Sequence, residues 1–175
     1  MIGAQTAQVS GLFDSAWVRG PMVYLVALGL QTSILADVRI GGAAADIMLG
    51  LAIAGGLVAG PERGVLAAFL IGILYDLLLT TPFGLSPLAY TLSAWIVARF
   101  TDRLLRHVWW FTMLVGMGAS ALGVLLYATA AALFGVNEVF TWDLVTIVAV
   151  VAIVNGLLMP VALRIQRWTL LAGRQ

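Results

Sequence analysis

Between Gly64 and Phe100 the chain reads GVLAAFLIGILYDLLLTTPFGLSPLAYTLSAWIVARF, two apolar runs divided by TTPFGLSP, and no other stretch restricts the fold as much. The first run is apolar enough to cross a bilayer, yet it carries Asp76. Gly64, Ala68 and Gly72 lead to that acid at intervals of four, so on an α-helix they share one slowly winding face along which another helix can come close. The expectation is a packing seam with a polar end. Beyond it, Pro82 and Gly84 force a tight reversal, and Ser86 followed by Pro87 suits the N-cap and first position of a new helix. Two apolar helices joined by a very short hairpin are expected.

The remainder of the chain is of the same kind. With 62% hydrophobic residues, 10% charged residues and a mean hydropathy of +1.06, it lies far outside the range of a soluble domain and reads as an integral membrane protein. Its 175 residues hold about six spans of about 20 residues each, which leaves almost nothing for loops or a separate catalytic domain. The expected architecture is an all-α, six-helix transmembrane bundle forming a single domain over residues 1–175. Spans are expected at about residues 21–36, 44–60, 64–80, 86–100, 108–134 and 144–163, with an interfacial helix at 10–19 carrying Leu12, Phe13, Ala16 and Trp17 on one side. Pro21 is expected to open the first span and Pro61, Glu62 and Arg63 to connect the second to the third. No basic segment precedes an apolar core at the start, so the first span is expected to be retained and not removed as a signal peptide.

All nine basic residues are arginines, and their placement gives the orientation. Arginine beside a span is retained on the cytoplasmic side. With the N-terminus inside, Arg19, Arg63, Arg99, Arg103, Arg106, Arg164, Arg167 and Arg174 are cytoplasmic and only Arg39 is outside. Both termini are therefore expected in the cytoplasm, with Trp109, Trp110 and Trp168 in the inner aromatic belt and Trp142 in the outer one.

Few residues could carry chemistry. A carboxylate within a span costs about 2.5–3.5 kcal/mol on insertion scales, so Asp76 is a candidate site, whether as a tie within its hairpin through the backbone or the Thr80 and Thr81 hydroxyls, as a partner contact, or in proton movement. Asp46, in the first turn of the second span, is placed to cap it. Arg39 falls on the same side as both acids, and an ion pair with Asp46 or Asp76 is expected. Gly56 and Gly60 form a Gly-x-x-x-Gly pair, while Gly116, Ser120 and Gly123 make a small-residue face on the fifth span. Asn155 is expected to hydrogen-bond to another helix, and Pro160 to kink or loosen the last span. Arg99, Arg103 and Arg106 recur at helical spacing as a basic face suited to anionic lipid or a cytoplasmic partner.

Several classes of function are disfavoured. With no Cys, no Lys and the single His107 on the cytoplasmic side, a nucleophile has no base and a thiolate or His-rich metal site cannot be built, so no enzyme, cofactor or metal is expected. So small a basic patch on so apolar a chain does not suit nucleic acid.

Taken together, Asp46, the small residues leading to Asp76 in FLIGILYDLLL, the run Pro82-Phe83-Gly84-Leu85-Ser86, Tyr90, and Asn155-Gly156-Leu157-Leu158-Met159-Pro160 resemble the MreD family of rod shape-determining membrane proteins. Ala45 departs from the proline expected before the acid in many relatives, which bears on how the second span begins. The resemblance implies a non-catalytic subunit of the bacterial cell-elongation complex in the inner membrane. It would bind MreC, a single-span coiled-coil protein, and through it RodA, a class B penicillin-binding protein and MreB. The Gly56/Gly60 face and the Gly116/Ser120/Gly123 face are the candidate docking surfaces for MreC. The fold implied is similar to that of S components of energy-coupling-factor transporters, and the alternative reading is such a vitamin-binding subunit. Against it, VYLVALGLQTSILA lacks the Ala-x-x-x-Ala surface usual in those proteins.

Overall fold

A computed structural model of the chain describes residues 16–35, 39–40, 42–79, 82–101, 109–136 and 141–171. These are helical apart from turns and one small hairpin. Helix α1 spans Ala16–Leu30 and continues as a π-helical turn, Gln31–Leu35. Strands β1, Arg39–Ile40, and β2, Ala43–Ala44, pair antiparallel, with Gly42 at a φ of 86° in the turn between them. Helix α2 then covers Ile47–Asp76, α3 Leu85–Thr101, α4 Trp109–Leu133 and α5 Trp142–Leu170.

The thirty residues of α2 do not form one rod. At Gly60 the backbone leaves the helical region, with φ 76° and ψ −171°, and Pro61 follows. Only glycine takes such a conformation without a Cβ penalty, and proline begins a helix well because it has no N–H to leave unpaired. The chain reverses here. A Cβ placed on Gly64 would stand 2.7 Å from Gly56 Cα, whereas residues eight apart on a straight helix are separated by about 12 Å. Two limbs, 47–59 and 61–76, thus pack face to face, and the reversal is tighter than expected: Pro61, Glu62 and Arg63 belong to the second limb instead of forming a connection.

The seam leading to Asp76 is used inside the chain. Gly64 meets the first limb at Gly55 and Gly56, Ala68 is fully buried, and a Cβ on Gly72 would lie 2.5 Å from Pro87 Cα at the start of α3. Gly56 approaches the Ala94 backbone of α3 equally closely. The α2 limbs pack mainly on α3 and α5, and α4 packs against both α5 and α3. Met48, Leu49, Ile53, Ile71 and Met159 fill the core between them, with alanines at 52, 54, 68 and 94 allowing the helices to approach. Leu25, Val26, Leu70, Trp110, Leu125 and Leu157 point outward, as helices facing lipid require.

Among the described residues three helices are long and apolar enough to cross a membrane: Ile47–Asp76, Trp110–Leu133 and Trp142–Leu170. Helices α1 and α3 have 15 and 17 residues. Other boundaries also differ from expectation. Pro21 lies inside α1, not at its start, because the helix has already formed by Ala16; residues 16–19 therefore extend α1, and 10–15 lie outside the described residues. Helix α5 runs to Leu170, past the expected end near 163, since Arg164 and Arg167 keep their heads exposed or half-exposed while Gln166 and Thr169 turn inward. Pro160 is accommodated within α5 without interrupting it.

Candidate functional site

Asp46 is the centre of a polar cluster at the start of α2. As N-cap it accepts the Leu49 N–H on Oδ1 at 3.0 Å, satisfying one of the amide groups a helix leaves open. Tyr90, one and a half turns into α3, donates its hydroxyl to Oδ2 at 2.6 Å. Asn155 of α5 donates from Nδ2 to the Asp46 carbonyl at 2.8 Å. Gln31, in the π turn after α1, donates to the Ala45 carbonyl at 2.5 Å and accepts the Ile47 N–H at 3.0 Å. One helix end is thus held from three other helices. Asn155 uses only its amino side: its Oδ1 is buried without a hydrogen-bond partner and rests against Gly50, where a Cβ would be 2.9 Å away.

A cavity of about 210 Å³ adjoins Asp46. Tyr75, Tyr90, Tyr127 and Ser86 line it, among otherwise apolar side chains from α2, α4 and α5. The rings of Tyr75 and Tyr90 lie nearly parallel at 21°, with centroids 6.0 Å apart.

Asp76 serves the next turn. It is 4% exposed, and its carboxylate accepts the N–H of Gly84 at 2.6 Å and of Ser86 at 3.3 Å. The acid at the end of one helix therefore caps the beginning of the next, with Gly84 at a φ of 106° providing the reversal and Pro82 exposed on the turn. Thr80 and Thr81 lie outside the described residues. The carboxylate thus ties the end of α2 to the start of α3.

Arg39 pairs with neither acid. It is exposed in β1, while the Asp46 and Asp76 carboxylates are taken up by N–H and O–H donors, so the expected ion pair is not formed. The two proposed docking faces are also occupied internally. Gly56 abuts α3, Gly60 is the hinge, Gly116 lies against Met159, Gly123 against Leu49 and Ser93, and Ser120 is fully buried. Arg99 lies over the Trp95 ring at 5.9 Å; Arg103, Arg106 and His107 lie outside the described residues.

A second polar cluster has no counterpart among the sequence candidates. Gln166 of α5, fully buried, donates to the Leu51 carbonyl of α2 at 2.8 Å and accepts the hydroxyls of Tyr24 and Thr169, each at 3.1 Å. Like Gln31, it is an uncharged polar residue inside an apolar segment, and that signal could have found both. Among the described residues there is no group of three or more His, Cys, Asp or Glu side chains able to hold a metal.

These residues tie the chain to itself, with acids and amides spent on backbone groups of neighbouring helices. Compared with known proteins, the chain matches no curated relative and no solved structure. A family model does match, that of the rod shape-determining protein MreD, over residues 13–165. With nearly its whole length matched, and with apolar helices able to cross a membrane, the chain belongs to the MreD family.

Proposed function

We propose that this chain is a non-catalytic membrane scaffold of the rod complex, which binds MreC and helps couple it to RodA, a class B penicillin-binding protein and MreB. Membership of the MreD family supports a role in rod shape determination, and it is the observation that carries this reading. The site chemistry agrees with it: Asp46, Asp76, Asn155 and Gln166 bond to backbone groups of this same chain, which is what a rigid, many-helix surface needs. Because both proposed docking faces are packed within the chain, MreC is left the outward apolar faces, which all five helices carry, among them Leu25 of α1, Leu70 of α2, Leu92 of α3, Leu125 of α4 and Leu157 of α5.

The reversal at Gly60 supports six passes, with α1, each limb of α2, α3, α4 and α5 crossing once and both termini in the cytoplasm of an inner-membrane protein. Arg39 is then the sole arginine outside. The limbs are shorter than a full span, so this topology requires local thinning or tilting of neighbouring helices. A reporter fused after Gln175 should be active only in the cytoplasm.

The partner reading is tested by purifying the full chain in mild detergent and identifying what accompanies it. A single-span coiled-coil protein of the MreC type is expected. A bound vitamin together with an ATPase module would instead establish the transporter reading.

A further inference from the structure

The cavity beside Asp46 has no role in a purely structural account, and its chemistry is one-sided. Asp46 brings a carboxylate to it whose oxygens accept only uncharged donors, the Leu49 N–H and the Tyr90 hydroxyl, and acids within a membrane protein are ordinarily matched by a cation or a proton. Among the described residues no arginine supplies that match. Arg39 is exposed in β1 and unpaired with Asp46, while Arg63, Arg99, Arg164 and Arg167 lie on the far turns of their helices and Arg19 packs over Trp168 at 4.7 Å. The chain contains no lysine, and its remaining arginines, Arg103, Arg106 and Arg174, lie outside the described residues.

The other walls point to the same kind of ligand. Tyr75, Tyr90 and Tyr127 are among the residues that line the space, and tyrosine rings attract organic cations. Ser86 is fully buried, lines the cavity, and has a hydroxyl with no hydrogen-bond partner. That oxygen is a free acceptor, and leaving it unmatched carries a cost that a ligand N–H would remove. The volume of about 210 Å³ exceeds the ~150 Å³ engineered cavity that accepts benzene, so the space suits a small organic group better than a bare metal ion, which one carboxylate could not coordinate.

We propose that this cavity binds a compact ammonium group, carried by a free small amine or by an aminophospholipid headgroup, with Asp46 as counter-ion, Ser86 as hydrogen-bond acceptor and the tyrosine side chains as part of the walls. The proposal is independent of which proteins the scaffold assembles.

The test is a thermal-unfolding titration of the purified full chain in detergent with ethanolamine, with ethylene glycol and sodium chloride as controls for size and ionic strength. A parallel arm uses nanodiscs with and without phosphatidylethanolamine. Ethanolamine should raise Tm by about 5 °C at saturation, with neither control reproducing the rise. Protection by phosphatidylethanolamine alone would identify the lipid headgroup as the source and also support the proposal. Asp46→Asn, which keeps a capping side chain, should abolish the response, and Ser86→Ala should weaken apparent affinity about fivefold. Should Asp46→Asn fail to fold, Tyr127→Leu removes one wall and should weaken the response in the same way. No protection in either arm, or a full response from whichever of Asp46→Asn and Tyr127→Leu folds, overturns the proposal.

Discussion

The Tyr90 hydroxyl donates to Asp46 Oδ2 at 2.6 Å, joining residues 44 apart in sequence and fastening α3 to the N-cap of α2. Tyr90→Phe keeps the ring against Tyr75 and removes only the donor. A loss of about 1–2 kcal/mol is expected, a fall in Tm of about 2–4 °C per kcal/mol for a chain of this size. Combined with Asp46→Asn, the two losses should be less than additive, because both remove the same contact. Additive losses in detergent unfolding would show the bond to be without consequence.

Asp76 should be sensitive in a graded way. Asp76→Ala strands the half-buried Gly84 and the buried Ser86 N–H groups and is expected to cost about 2–3 kcal/mol, with reduced membrane levels and faster proteolysis between α2 and α3. Asp76→Asn retains one acceptor oxygen and should lie between that variant and the parent. Equal stability of all three would remove Asp76 from the hairpin's support.

Glycines separate into two groups by what surrounds them. Gly72→Ala would place a Cβ 2.5 Å from the Pro87 backbone, which cannot move aside as a flexible side chain can, so a loss of about 1–3 kcal/mol is expected. Gly118→Ala in α4 meets nothing within 4 Å and should be neutral or stabilising by up to about 1 kcal/mol through helix propensity. Gly60→Ala has room for the methyl group but not the backbone conformation, and should lose about 1–2 kcal/mol. Unfolding midpoints of the three variants, measured side by side, decide whether packing or conformation governs each position.

The two amides of α5 should not be equivalent. Gln166→Leu leaves the Tyr24 hydroxyl without its acceptor and the Leu51 carbonyl without one donor, a combined cost of about 1–2 kcal/mol. Asn155→Leu removes a single bond and also an oxygen that has no partner, so about 0.6 kcal/mol, the average for such bonds in membranes, is expected. A larger loss from Asn155→Leu than from Gln166→Leu would reverse this ranking.

Much of the local structure was legible because it depends on neighbours in the chain. Asp46 as a helix cap and Gly84 in a tight reversal follow from side-chain chemistry within a few residues. Ser86, expected as the N-cap before Pro87, instead lies inside α3, which begins at Leu85, and its hydroxyl caps nothing because Asp76 takes the N–H groups at that helix start. The ion pair assigned to Arg39 failed for a different reason. Placing residues on one side of a membrane says nothing of distance, and both acids had nearer donors in the backbone and in Tyr90. The small-residue faces were recognised as packing surfaces but given to a partner, since a stripe of glycine and alanine does not say whether the helix beside it belongs to the same chain.

From its sequence alone, this protein was bound to be a helical membrane protein of the MreD type: long apolar runs require helices in lipid, and Gly60-Pro61 and Pro82-Phe83-Gly84 specify where they turn. Tertiary structure alone decided which polar groups meet. Tyr24 reaches Gln166 across 142 residues and Asn155 reaches Asp46 across 109, contacts that depend on how whole helices rotate and slide against one another. Lipid tails are as apolar as the helices themselves, so burial does not select that arrangement; close packing at glycines and the satisfaction of inward polar groups do.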